Sequence, residues 1–453
     1  MTSIAKYFTT LIASFVIVFI FTYGTLDWYE SFAVALFLTH LIKFVGDLGK
    51  TISIKNIIAL ICTMQWLVGP ILGYYYDEII FISYKMCIPK ETYFGYVLPA
   101  TLFFLAGLYA SKEKYINMQV LRSQNIDFYR KGTFFIILGF LARFIPIDFL
   151  SYLLSGLMFI GVFYMFASVN KTKYYWIAFV FGNLMLNSIG TGFFHELLLW
   201  GSFFLMIYFL TYPKPYWLRL TIILTGFILA YLIQLAKSDY REMLWSGQLE
   251  NSSKVGAFIS TIDKNISKPD DMAQTQFGNV VVRLNQGWII AKIIDNIPAR
   301  ETYANGATVK DAIIASIFPR FLFPDKAIAG GKLNMERYAG VQVSEGTSMD
   351  ISQIGEAYAN FGALGGMFFM LLLGLFFNWV IARIAHWGNR YPDLMFWLPL
   401  IFLQVVKAET SLVTVLNHLT KALLVTWFFF SPWGNYLINS QFMKRKKGGG
   451  TIN

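Results

Sequence analysis

The feature that most constrains this chain is a series of apolar runs, each about as long as a bilayer is thick. A hydrocarbon core of about 30 Å is crossed by roughly 17–25 apolar residues in a helix. Such runs lie at 8–23, 31–46, 56–75, 93–110, 133–149, 151–168, 174–191, 194–212 and 216–236. After a long gap they resume at 363–382, 394–408 and 411–430. The fifth is the most broken, by Arg143 and Pro146. Charged residues make up 14% of the chain, against roughly 25% in soluble domains, so there is too little polar surface for a coat facing water. The sequence predicts an all-α polytopic membrane protein with about twelve transmembrane helices. The first run follows Lys6 and is read as an uncleaved anchor, because further spans follow at once.

Basic residues set the orientation. Lys43, Lys50 and Lys55 follow the second run, and Lys112, Lys114, Arg122, Arg130 and Lys131 follow the fourth. Lys171 and Lys173 follow the sixth, Lys214 and Arg219 the eighth, and Arg383 and Arg390 the tenth, while Lys444–Lys447 closes the chain. Each cluster comes after an even-numbered run, which places both termini in the cytoplasm. The gap at 237–350 then lies outside the membrane. It holds 13 Lys and Arg against 13 Asp and Glu, so the whole formal charge of +11 sits elsewhere. Membrane insertion accounts for that asymmetry, and no nucleic-acid partner is implied. The chain divides into helices one to nine (1–236), an outer loop (237–350), helices ten to twelve with a lead-in helix (351–431), and a basic tail (432–453).

A loop of this length is too long to be an idle connection. Val281, Leu284, Trp288, Ala291 and Ile294 recur at helical spacing up to Pro298, which predicts one helix there. Thr308 with Asp311 three residues on predicts a capping box opening a second. The loop reads as short helices resting on the outer face of the membrane-embedded part.

Candidate chemistry gathers on that side. Arg241, Arg283, Arg300 and Arg320 lie in the loop, and guanidinium groups bind phosphate oxygens in pairs. In Phe318-Pro319-Arg320-Phe321-Leu322-Phe323-Pro324-Asp325-Lys326, prolines and phenylalanines stiffen a segment that carries Arg320 and Lys326. In Gly355-Glu356-Ala357-Tyr358-Ala359-Asn360-Phe361-Gly362, helical spacing puts Glu356 and Asn360 on one face. A carboxylate there suits general-base work; the competing reading is a helix cap with small residues for close packing. His195, Glu196, Lys407, Glu409, His418 and Lys421 fall toward the outer ends of their runs and together imply an outward-facing polar cavity. Cys62 and Cys87 are the only cysteines and four histidines are scattered, so neither a disulfide framework nor a zinc site is expected. The chain has no Walker sequence, no pair of aspartates two apart and no nucleophile elbow. Metal-independent chemistry on a lipid-carried substrate, with no cofactor, is the expectation.

The run count, the late outer loop and the Gly355–Gly362 segment resemble the O-antigen and exopolysaccharide repeat-unit polymerases (the Wzy type). The 318–326 segment is similar to one found in the outer loop of that family. As sequence, the resemblance spans roughly 237–380. It implies a glycosyltransferase C-like fold in the bacterial cytoplasmic (inner) membrane, serving lipopolysaccharide or other surface polysaccharide. It implies a donor glycan and an acceptor repeat unit, both on undecaprenyl diphosphate, joined with inversion, with a flippase and a chain-length regulator as partners. Mapped onto these residues, the leaving diphosphate meets Arg283, Arg320 and Lys326, with Arg241 beside them. Glu356 serves as base, with His195 and Glu196 as the second choice, and Tyr358, Asn360 and Trp288 contact sugar. The loop has no histidine, which favours polymerase over the related O-antigen ligases. A transporter is the non-enzymatic alternative, and the nine-plus-three division of runs gives no matching halves.

Overall fold

A computed structural model describes residues 3–112, 118–124, 126–248, 253–266, 270–318, 323, 331–343 and 349–443. Among the described residues the chain is all helix, with no strand. Among the described residues six helices, fewer than the twelve spans expected from the sequence, are long and apolar enough to cross a membrane: Trp28–Asp47, Ile54–Tyr75, Asp148–Ala167, Tyr216–Trp245, Gln353–Trp387 and Leu412–Phe430. Ala5–Phe21 and His195–Thr211 are shorter apolar helices. The outward surface is apolar as well. Tyr216–Trp245 buries only 6% of its most apolar window, and Leu224, Phe227, Ile228 and Leu229 face out. A surface of that size and character belongs to a protein solvated by lipid.

Without a hydrophobic drive between them, helices in lipid associate where small residues let backbones approach. The longest helix, Gln353–Trp387, lies against Lys90–Leu108 at such a crossing. A Cβ on Gly374 would overlap the Phe104 carbonyl, and one on Gly107 the Leu371 carbonyl. Gly139 and Gly161 do the same where Phe128–Leu141 meets Leu157–Ala167. The two signs of a glycine substitution can therefore be told apart. Gly95→Ala, on Lys90–Leu108 but with open space around it, gains helix propensity of roughly 0.5–1 kcal/mol. Gly374→Ala incurs overpacking of about 1–3 kcal/mol instead. Thermal midpoints in detergent should move in opposite directions; a rise for both would mean that the crossing is looser than described.

Besides the number of spans, the fold departs from the sequence reading in four places. The eleventh run, 394–408, is not a spanning helix. Pro392 and Pro399 limit it to a 3-10 segment, Pro392–Trp397, and one α turn, Leu398–Ile401, followed by tight turns. Nearly all of it is buried, where irregular backbone at membrane depth is tolerated. The helix predicted across 281–294 is two, Asp270–Leu284 and Gly287–Asn296. The break lets the Gln286 N–H reach the Gln65 carbonyl at 3.2 Å, inside the π-turn Met64–Val68. Gly69 and Gly73 make room for it, since a Cβ on either would strike Leu284 or Asn285. Thr308 forms no capping box: Gly306, at φ 85°, caps Ala307–Ile317, and the Thr308 hydroxyl accepts from Asn360 at 2.7 Å. Finally, the loop helices do not merely rest on a surface. Trp288, Ile289, Ile290, Ile293, Ala312 and Ala315 belong to the main core.

Candidate functional site

The site is organised by a break in the helix Gln353–Trp387. Gly362 has φ 67° and ψ −166°, which ends one short helix and starts another. The short piece, 353–361, carries Glu356, Tyr358 and Asn360, all buried. Asn360 is fully used by the fold. Its Nδ2 donates to Thr308 Oγ1 at 2.7 Å and to the Glu356 carbonyl at 2.8 Å, and its Oδ1 accepts from the Gly306 N–H at 3.0 Å. Tyr358 packs edge-on against Tyr96, ring centroids 4.9 Å apart, with the Tyr303 ring centroid 6.4 Å away.

Two carboxylates at the start of this piece hold the first N–H groups of Leu412–Phe430, which have no acceptor inside their own helix. Asp350 Oδ2 accepts from the Ser411 N–H at 3.0 Å and hydroxyl at 2.6 Å, and Oδ1 accepts from the Ile351 N–H at 3.1 Å. Burial pushes the Asp350 carboxyl above its usual range, the Ser411 and Ile351 donors draw it back, and nearby Glu409 adds to the rise. Glu356 Oε2 accepts from the Leu412 N–H at 2.8 Å, with the Thr308 side chain beside it. Its carboxylate is sealed: the residue is 0% exposed, and Oε1 has no hydrogen-bond partner among the described residues. Glu356 thus caps a helix other than its own.

The turn so positioned, 407–411, carries Lys407 and Glu409 into a cluster of charges from four other elements. Lys407 lies within electrostatic reach of Glu196 and Glu409, and His195 within reach of Lys407, Glu409 and Lys237. Lys237 in turn neighbours Arg241, Arg283 and Glu409. Lys237 and Arg241 are four apart on the last turns of Tyr216–Trp245, so they share a face, and Arg283 comes from the end of Asp270–Leu284. Arg241 is fixed: Nε donates to the Gly192 carbonyl at 2.8 Å, and the guanidinium stacks 4.5 Å from Phe193 and 5.2 Å from Trp245. Arg283 is exposed. On the other flank Glu196 sits against Tyr152, whose hydroxyl accepts from Gln404 Nε2 at 3.2 Å, and near Arg143. Lys237, Arg241 and Arg283 together can hold a multiply charged anion, and the neighbouring carboxylates can take a proton.

Of the residues singled out in sequence, the structure brings Arg241, Arg283, His195, Glu196, Lys407 and Glu409 together. Glu356 reaches the cluster only through Leu412 and the 407–411 turn. Trp288 is 4% exposed, with Tyr84 edge-on to it at 5.0 Å, so its ring has no face open to a ligand. Arg320 and Lys326 lie outside the described residues, and Arg300 pairs with Asp295 at 2.7 Å. Sequence reasoning missed Lys237, Asp350 and Tyr152. The four-residue spacing of Lys237 from Arg241 was a usable signal; nothing local marks Tyr152.

A family model described as Domain of unknown function (DUF8712) matches residues 74–391. The chain belongs to the DUF8712 family. The matched span holds His195, Glu196, Lys237, Arg241, Arg283, Asp350 and Glu356, whereas the 407–411 turn of this DUF8712 protein lies beyond it. No curated protein and no solved structure matches the chain.

Proposed function

We propose that this chain is a membrane glycosyltransferase that polymerises oligosaccharide repeat units carried on undecaprenyl diphosphate, at the outer face of a bacterial cytoplasmic membrane. The observation that carries the reading is the meeting of Lys237, Arg241 and Arg283 beside carboxylates, at the end of a helix whose outer side faces lipid. A lipid-linked diphosphate needs that combination: fixed cations at the polar end and an apolar approach for the tail. The basic clusters at 43–55, 112–131, 171–173 and 214–219, set against the charge-balanced 237–350 segment, support an orientation with the cluster on the outer side.

In the reaction, an acceptor hydroxyl attacks the anomeric carbon of the donor, the bond from that carbon to the diphosphate oxygen breaks, and the configuration inverts. The diphosphate leaves with the electron pair, and Lys237, Arg241 and Arg283 neutralise its growing charge without a metal. The hydroxyl proton passes to a carboxylate of the cluster. Arg320 and Lys326 remain candidates for further phosphate contacts. Transfer to a different lipid acceptor, as in the O-antigen ligases, is a second reading, favoured by the presence of His195 among the cations.

Purified protein in proteoliposomes, given lipid-linked repeat units, should produce a ladder of glycans and release one undecaprenyl diphosphate per bond formed. Transfer only to a second lipid acceptor would select the ligase reading. Neither product, from protein that remains folded, would remove the glycosyl-transfer assignment.

A further inference from the structure

The cluster holds several carboxylates, and their surroundings differ in a way that decides which of them can meet a hydroxyl. Glu356 has its Oε2 on the Leu412 N–H, its Oε1 sealed, and no exposure. Asp350 is committed with both oxygens, to Ser411 and Ile351. Neither can turn toward a substrate without releasing the start of Leu412–Phe430. Glu409 lies within electrostatic reach of Lys407, Lys237 and His195, where it balances cations. Glu196 is different. It is half-buried in the first turn of His195–Thr211, and unlike Glu409 it has the Tyr152 hydroxyl beside it. The groups facing it are the Tyr152 hydroxyl from Asp148–Ala167, Arg143 from the end of the preceding helix, and Lys407 from the 407–411 turn. Tyr152 is itself anchored by Gln404 at 3.2 Å, so the hydroxyl beside Glu196 has a fixed direction.

We propose that Glu196, oriented by Tyr152 and flanked by Lys407, is the group that takes the proton from the acceptor hydroxyl, and that Glu356 is a positioning residue acting through Leu412. The assignment rests on the glycosyl-transfer reading. The acceptor oxygen bonds to the anomeric carbon, the bond to the diphosphate breaks, and the hydroxyl proton moves to a Glu196 oxygen; the carboxylate is then restored by loss of that proton to water. Lys407 neighbours both Glu196 and Glu409, so it keeps Glu409 as a partner while Glu196 carries the proton. Leu412 connects Glu356 to this arrangement: the cap it provides fixes the turn that carries Lys407.

The test is chemical rescue. Glu196→Ala, assayed on lipid-linked repeat units in proteoliposomes, should lose about 10²–10⁴ in rate, the usual effect of removing a base. It should still bind undecaprenyl diphosphate as wild type does, and added formate should restore rate at least tenfold by entering the space left. Glu356→Ala should lose activity that formate does not restore, since no small acid rebuilds a helix cap. Tyr152→Phe should lower kcat with KM unchanged. Glu196→Ala turning over within threefold of wild type would overturn the assignment. So would a binding-competent Glu196→Ala that formate leaves inactive, or rescue of Glu356→Ala in its place. Glu196→Gln, which keeps the shape, guards against misfolding: near-normal turnover in it likewise ends the proposal. Wild-type protein that forms no glycosidic bond under any of these conditions would instead end the reading on which the assignment rests.

Discussion

Arg283→Ala should stop polymer formation while making the protein no less stable. Lys237, Arg241 and Arg283 repel one another across the cluster, with Glu409 near Lys237 as a partial counter-charge. Removing one cation relaxes that repulsion, so the thermal midpoint should hold or rise, as expected where a site is built at the expense of stability. The rate should fall by about 10²–10³, the effect of losing one preorganised donor to a developing oxyanion. Arg283 is the cleaner probe of the three because it is exposed and outside the packing. Arg241→Ala would also free the Gly192 carbonyl and unstack Phe193 and Trp245, mixing a structural loss with a functional one. Arg283→Lys should recover only part of the rate, since an ammonium cannot reproduce the paired donors of a guanidinium. Adding undecaprenyl diphosphate should raise the midpoint of wild type more than that of Arg283→Ala. Equal stabilisation of both, with normal chain lengths, would take Arg283 out of the site.

Glu356 should show the opposite pattern, with a loss of stability that precedes and explains the loss of rate. Alanine there leaves the Leu412 N–H buried and unpaired, at a cost of about 1–3 kcal/mol. The favourable placement of a carboxylate at a helix N-terminus is lost as well. The midpoint should fall, and the turn carrying Lys407 and Glu409 should loosen with it. Glutamine keeps an oxygen that can accept from Leu412, so Glu356→Gln should retain most of the stability and turn over within about tenfold of wild type, less than the 10²–10⁴ that removal of a base costs. A fully stable Glu356→Gln with activity lowered a thousandfold would restore Glu356 as the proton acceptor.

What could be read from the sequence was whatever a local pattern decides. Apolar runs of bilayer length gave the helical class, and the Gly355–Gly362 segment gave a short helix with Glu356 and Asn360 on one face; its end at Gly362, where φ is positive, could not be read, since that glycine suited close packing equally well. The shared depth of six ionisable residues in their runs pointed to a polar cavity; His195, Glu196, Lys407 and Glu409 do come together, whereas His418 lies on the Leu400 carbonyl and Lys421 over the Phe149 ring. The rest depends on partners far apart in the chain. Glu356 meets Leu412 across 56 residues, Asp350 meets Ser411 across 61, and Lys55 is buried on Asn378 across 323. No periodicity encodes such pairings. The same blindness explains the eleventh run: its composition suits a spanning helix, but the core of the protein, rather than lipid, surrounds it, and two prolines fold it into turns. Trp288 misled for a related reason, since an aromatic at helical spacing looks alike whether it faces a sugar or Tyr84.

The helix Tyr216–Trp245 has one further consequence. It presents nearly its whole flank to lipid and bears Lys237 and Arg241 on its final turns. A molecule with a long hydrocarbon tail can therefore slide along that flank and bring its head group to the cations without ever leaving the membrane plane. Encounter between protein and substrate becomes diffusion in two dimensions. Turnover would then follow the mole fraction of substrate in the membrane, not its concentration in the surrounding solution. Diluting the vesicles would leave the rate per protein untouched, while diluting the substrate with inert lipid would lower it.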